Sequence, residues 1–119
     1  MNRDRFGNPE RILCAAIYVD TGKPEPARMS YAYPKTGIVF CGWRHGDCFV
    51  PLLDWKHRLT HQEVEAIEAI MPHQLRGRRQ GFLTSCGRFV DRRDGWAIAV
   101  AAGQVEDDDH NMLVSEDLY

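Results

Sequence analysis

The sequence predicts a single α+β domain: a small antiparallel sheet, made of a meander plus a hairpin, packed with about three helices. Three observations lead there. An apolar run rich in β-branched residues, ILCAAIYV, is closed by Asp20-Thr21-Gly22 and two prolines, as a buried strand would be. Two stretches between Asp47 and Pro72 carry apolar residues at helical spacing behind capping signals. The stretch from Phe82 to Gly103 then reads as strand, turn, strand and helix. A chain of 119 residues supports one core and not two of ordinary size.

Taken in order, residues 1–10 are polar, contain Gly7 and Pro9, and have little to bury. They are expected to form a flexible N-terminal arm ahead of a domain spanning 11–119. The first strand should be central. A second strand is expected from Gly37 to Gly42, with a short one at Met29 to Tyr33 that Pro34 confines to an edge. Asp47 is placed to cap a first helix with Cys48, Leu52 and Trp55 on its apolar side, and Pro51 is tolerated in the first turn. Thr60 and Glu63 form a capping box ahead of the stripe Val64, Ile67, Ile70 and Met71, which Pro72 ends. HQLRGRRQG reads as a basic loop. Phe82 to Ser85 and Arg88 to Val90 form the hairpin, joined through Cys86-Gly87, where glycine supplies a positive φ. Asp91 caps the third helix, with Asp94 at its third position and Gly103 as its stop. The acidic loop VEDDDH follows, and Ser115 is placed to cap a last short turn.

Hydrophobic residues make up 44% of the chain, charged residues 27%, and the net charge is −2. That balance is globular and argues against a general nucleic-acid binder, so any anion binding must be local. No apolar stretch approaches membrane-spanning length, and MNRDRFGNPE lacks the apolar core of a secretion signal, so a cytoplasmic location without membrane partners is expected. The four cysteines, Cys14, Cys41, Cys48 and Cys86, are then read as buried free thiols and not as a disulfide framework.

Several chemistries compete with ordinary packing. Cys41, His45 and Cys48 lie close together, but zinc usually takes about four ligands from paired short spacings, and only His45-x-x-Cys48 supplies one. Core thiols are the simpler reading, and no metal or other cofactor is assigned. Cys48 one helical turn from His45 would suit covalent catalysis, yet neither an oxyanion hole nor a third orienting group is visible. No catalytic residue is assigned. Asp107 to Asp109 could hold Mg²⁺, but a solvated charge run is the ordinary explanation.

The remaining constellation is cationic. Arg76, Arg78, Arg79, Arg88, Arg92 and Arg93 fall within eighteen residues. Guanidinium forks match phosphate oxygens, and the start of the third helix adds unpaired N–H groups and a partial positive charge. Phe82, Phe89 and Trp43 offer faces on which a base could stack. The competing reading pairs these arginines with Asp91, Asp94 or the acidic tail and turns both phenylalanines to the core.

The tract GFLTSCGRFVDRRDGWAIAVAAGQ, with SEDLY at the end and WRHGDC upstream, resembles a group of small phage proteins, the anti-Thoeris sponge family, which sequester cyclic ADP-ribose isomers made by bacterial immune enzymes. The resemblance covers roughly the last forty residues and one upstream motif. It implies an α+β fold, a homodimer or higher assembly with pockets shared between subunits, and capture of a nucleotide in the host cytoplasm without turnover. Carried onto this chain, it implies a ligand-facing segment of Thr84, Ser85, Arg88, Phe89, Asp91 and Arg92, joined by His45. In that reading the arginines hold the pyrophosphate, Phe82 or Phe89 lies against adenine, and Asp91 faces ribose hydroxyls. Two other classes stay open: a small nucleotide-processing enzyme using His45 and Cys48, and an interaction module in which Arg76 to Arg79 docks an acidic tail.

Overall fold

The computed structural model describes residues 2–23, 36–72, 79–107 and 111–118. The short strand expected at Met29 to Tyr33, and the basic residues Arg76 and Arg78, lie outside the described residues. Four strands, β1 (Ile12–Val19), β2 (Ile38–Gly42), β3 (Arg79–Thr84) and β4 (Phe89–Asp91), form one sheet in the order β2-β1-β3-β4. Every neighbouring pair is antiparallel. The helices are α1 (His45–Arg58), α2 (His61–Ile70) and α3 (Arg92–Ala101), and a 3₁₀ turn closes the chain at Ser115–Asp117. The predicted α+β class is therefore the observed one.

One face of the sheet carries the main core. Ile12, Ala15, Ile17, Val19, Phe40, Phe82 and Val90 meet Cys48 and Leu52 of α1, Ile67 of α2, Trp96 and Ala99 of α3, and Leu113 of the C-terminal segment. An irregularity between Ile12 and Cys14 places an extra residue in β1. Ile12 and Ala15 thereby reach the same face, and Leu13 is left exposed. Phe82, Ile17, Leu52 and Leu113 are fully buried, each contributing about 1.5–3 kcal/mol by removal from water. Ala16, Tyr18 and Val39 form a smaller cluster on the other face, with Leu83 and Phe89 against it.

Four local expectations are corrected. β3 starts at Arg79, earlier than Phe82, because its ladder to β1 continues through Gln80 opposite Ile17 and Arg79 opposite Tyr18. Asp47 is not the cap of α1. Arg44 holds that position, and the Asp47 carboxylate, three residues on, accepts the Arg44 backbone N–H at 3.1 Å. A carboxylate can fill either half of a capping box, and composition alone does not tell which. Pro51 consequently lies beyond the first turn, where its missing N–H leaves the Asp47 carbonyl without the usual i+4 donor. At the chain end Val114 is the cap, Ser115 lies inside the turn, and Asp117 accepts the Val114 N–H at 3.0 Å.

Other signals appear as read. Thr60 Oγ1 accepts the Glu63 N–H at 3.1 Å, and the Glu63 carboxylate accepts the Thr60 N–H at 3.0 Å. Gly87 takes φ 75° in the hairpin turn, and its N–H reaches the Thr84 carbonyl at 2.9 Å. Asp91 caps α3 by accepting the Asp94 N–H at 2.7 Å.

Candidate functional site

Among the described arginines, Arg88 and Arg92 do not converge. Arg88 turns toward the N-terminal segment, where its Nε and a terminal nitrogen both donate to the Glu10 carboxylate at 2.7 Å. Thr84 donates its hydroxyl to the same carboxylate at 2.6 Å, and Ser85 Oγ accepts the Arg11 N–H at 2.9 Å. Glu10 is only 6% exposed. The Arg88 fork, helped by the Thr84 hydroxyl, holds its carboxyl down to about 2. Arg88, Thr84 and Ser85 are thus engaged with the segment before β1. Asp4 accepts the N–H groups of Phe6 and Asn8, and Arg3 bridges to Pro9.

Both phenylalanines are removed from the expected role. Phe82 is fully buried and presents no face to a base. Phe89 packs against Tyr18 on the other face of the sheet, with ring centroids 5.5 Å apart. Arg79 sits over the same Tyr18 ring at 5.9 Å. Asp91 is engaged as the cap of α3, as described above. Trp43, by contrast, is 69% exposed beside Arg44 in sequence.

Arg92 and His45 are brought together. The first turns of α1 and α3 meet at a cleft of about 380 Å³ lined by Arg44, His45, Gly46, Asp47, Arg92 and the C-terminal Val114–Glu116 segment. Arg92 donates a terminal nitrogen to Gln80 Oε1 from the helix-facing side of β3. Its Nε is buried and has no hydrogen-bond partner among the described residues. A buried donor left in that condition costs about 1–3 kcal/mol. His45 is 8% exposed, and its Nε2 lies 2.8 Å from the Gly81 carbonyl oxygen. With only a carbonyl opposite, Nε2 must be the protonated nitrogen, and Nδ1 then carries the lone pair. Burial lowers the His45 pKa, and the Arg92 charge lowers it further, so the ring is neutral near pH 7. Asp47 is turned to its helix cap, which leaves Glu116 as the carboxylate opposing two guanidinium groups.

This arrangement can bind an anion and orient a hydroxyl. It is less suited to a thiolate nucleophile: Cys48 is buried, donates to the Arg44 carbonyl at 3.5 Å, and burial pushes its thiol up to about 11. Of the four thiols only Cys48 is buried; Cys41 is exposed, while Cys14 and Cys86 are intermediate, because their side chains do not face the main core. Among the described residues no group of three His, Cys, Asp or Glu side chains is placed to hold a metal ion. Asp108 and Asp109 lie outside the described residues.

Arg44, Gly46, Asp47 and Glu116 were not among the residues expected at the site, nor was Glu10 expected to bind Arg88. WRHGDC and SEDLY carried a signal for the first four, since both accompany the β-to-α tract in the motif layout. Nothing in the sequence connects Glu10 with a side chain 78 positions away.

Fold and cleft define a small α+β domain with two helix N-termini at a polar depression lined by two arginines and two carboxylates. The family model for the phage T4 y16D protein matches residues 11–119, so the chain belongs to that phage protein family. No curated protein and no solved structure is significantly similar to it. No helix among the described residues is long and apolar enough to cross a membrane.

Proposed function

We propose that this protein captures a phosphate-bearing small molecule of the nucleotide class in the cleft between the first turns of α1 and α3, and releases it unchanged. Membership of a phage family fits a role in evading host immunity. Within that reading the ligand is a cyclic ADP-ribose isomer and the working form is a homo-oligomer. The observation that carries the proposal is that Arg44 and Arg92, from the starts of α1 and α3, line one cleft. A phosphate oxygen would accept from those guanidinium groups, while the lone pair of His45 Nδ1 suits a ribose hydroxyl. The cleft volume suits a ribose phosphate, and Trp43 offers the exposed ring for a base.

The experiment is calorimetric titration with cyclic ADP-ribose isomers, ADP and inorganic phosphate, followed by heating and chromatography of the released ligand. Binding of a nucleotide recovered intact supports capture; an altered product supports the enzymatic alternative. Arg92→Ala should weaken binding by about 1.5–3 kcal/mol. Gly46→Phe should abolish it without unfolding the chain, since a Cβ at Gly46 meets nothing within 4 Å. Nucleotide binding unchanged in both variants would remove this cleft from consideration.

A further inference from the structure

The two edge-side strands bring a second reactive group together, away from the cleft. β1 and β2 pair Ala16 with Cys41 and Ala15 with Gly42. Cys14 points to the same side of the sheet as Ala16, so it is the diagonal cross-strand neighbour of Cys41. The Cys41 thiol donates to the Cys14 sulfur, and so does the Gly42 backbone N–H. Cys41 is exposed and Cys14 partly so, which leaves the pair open to small reagents.

We propose that Cys14 and Cys41 form a cross-strand dithiol that small disulfides of the glutathione class oxidise reversibly to an intramolecular disulfide. The Cys14 thiolate attacks one sulfur of the reagent, forms a mixed disulfide and expels the first thiolate. Cys41 then gives up its proton, its sulfur attacks the Cys14 sulfur, and the second thiolate leaves. Two protein thiols and one reagent disulfide become one protein disulfide and two reagent thiols. The two donors to Cys14 hold its pKa down to about 7, so a large share is thiolate at neutral pH. Cys48 is buried in the main core and Cys86 lies in the β3–β4 turn, so neither competes for this partner. Diagonal Cα atoms stand roughly 7–8 Å apart, beyond the usual disulfide span of about 5.5–6 Å. Closure must therefore draw the strands together, and a bond closed under that constraint is readily reduced.

The test is incubation of the folded protein in glutathione disulfide, alkylation of the remaining thiols, and intact and peptide mass spectrometry. Wild type should lose the mass of two hydrogens, with Cys14 and Cys41 protected together and freed by dithiothreitol. Cys41→Ser, at an exposed position, should instead retain glutathione on Cys14, and Cys86→Ser should behave as wild type. Stable glutathione adducts on wild type without ring closure, or a linkage mapped to Cys48 or Cys86, would overturn the proposal.

Discussion

At the scale of single residues, Glu10 and Arg88 show how a guanidinium chosen for its phosphate-binding chemistry becomes part of the framework. The Glu10 carboxyl titrates near 2, below its ordinary 4.5, so the folded state binds fewer protons than the unfolded chain in the interval between them. The stabilisation is full above about pH 4.5 and is lost as the pH falls toward 2, amounting to about 3 kcal/mol. Urea unfolding from pH 6 down to pH 2.5 should show that loss in wild type, and Glu10→Gln should show much less of it. Arg88→Ala should destabilise by about 2 kcal/mol, the low end for a charged pair because Arg88 is about one-third exposed. If Arg88→Ala weakened nucleotide binding without lowering the unfolding midpoint, its role at the framework would be wrong. The sequence made Arg88 conspicuous and left its partner hidden, because a carboxylate in a polar leader carries no local mark of burial.

At the scale of elements, two contacts fix how α1 and α3 are presented. Gly81 lies in the middle of β3, opposite Ala16 on one side and Asp91 on the other, and its carbonyl faces His45. A Cβ there would stand 2.0 Å from the Val90 carbonyl oxygen. Gly81→Ala should therefore cost about 3 kcal/mol or more, because the obstacle is backbone and cannot rotate away. A guanidinium chloride midpoint within error of wild type would refute that account. The second contact follows α3, where Gln104 Oε1 accepts the Ile12 N–H at 2.7 Å and its Nε2 donates to the Ile12 carbonyl at 2.8 Å. A side-chain amide thus continues the ladder where β1 is irregular. Gln104→Ala should destabilise by about 1–3 kcal/mol and accelerate amide exchange at Ile12. Protection of that amide unchanged in the variant would contradict it. Helix starts at Thr60 and Asp91 were legible because a cap is a local hydrogen bond between near neighbours. The start of α1 was misplaced by three residues for a related reason: Asp47 does take part in the cap, from inside the helix.

At the scale of the whole molecule, the cleft exists only because three segments distant in sequence close around it. Leu113 is fully buried against the main core, and its N–H donates to the Arg92 carbonyl at 2.8 Å, which brings Val114 to Glu116 across the start of α3. Leu113→Ala should cost about 2–4 kcal/mol through the cavity it leaves, and should weaken ligand binding as the wall loosens. Binding at wild-type strength in that variant would mean that the C-terminal segment is no part of the site. The sequence by itself determined the fold class, the central strand, the α2 capping box, the hairpin with its glycine and the third helix, since periodicity, caps and turn conformations are set by neighbours in the chain. Only the tertiary structure decided that Phe82 is core, that Phe89 lies on the opposite face, that Arg88 belongs to Glu10, and that Arg92 meets Arg44 and His45. Those outcomes depend on sheet order and strand register, which join residues far apart in sequence and assign each side chain to one face of the sheet or the other.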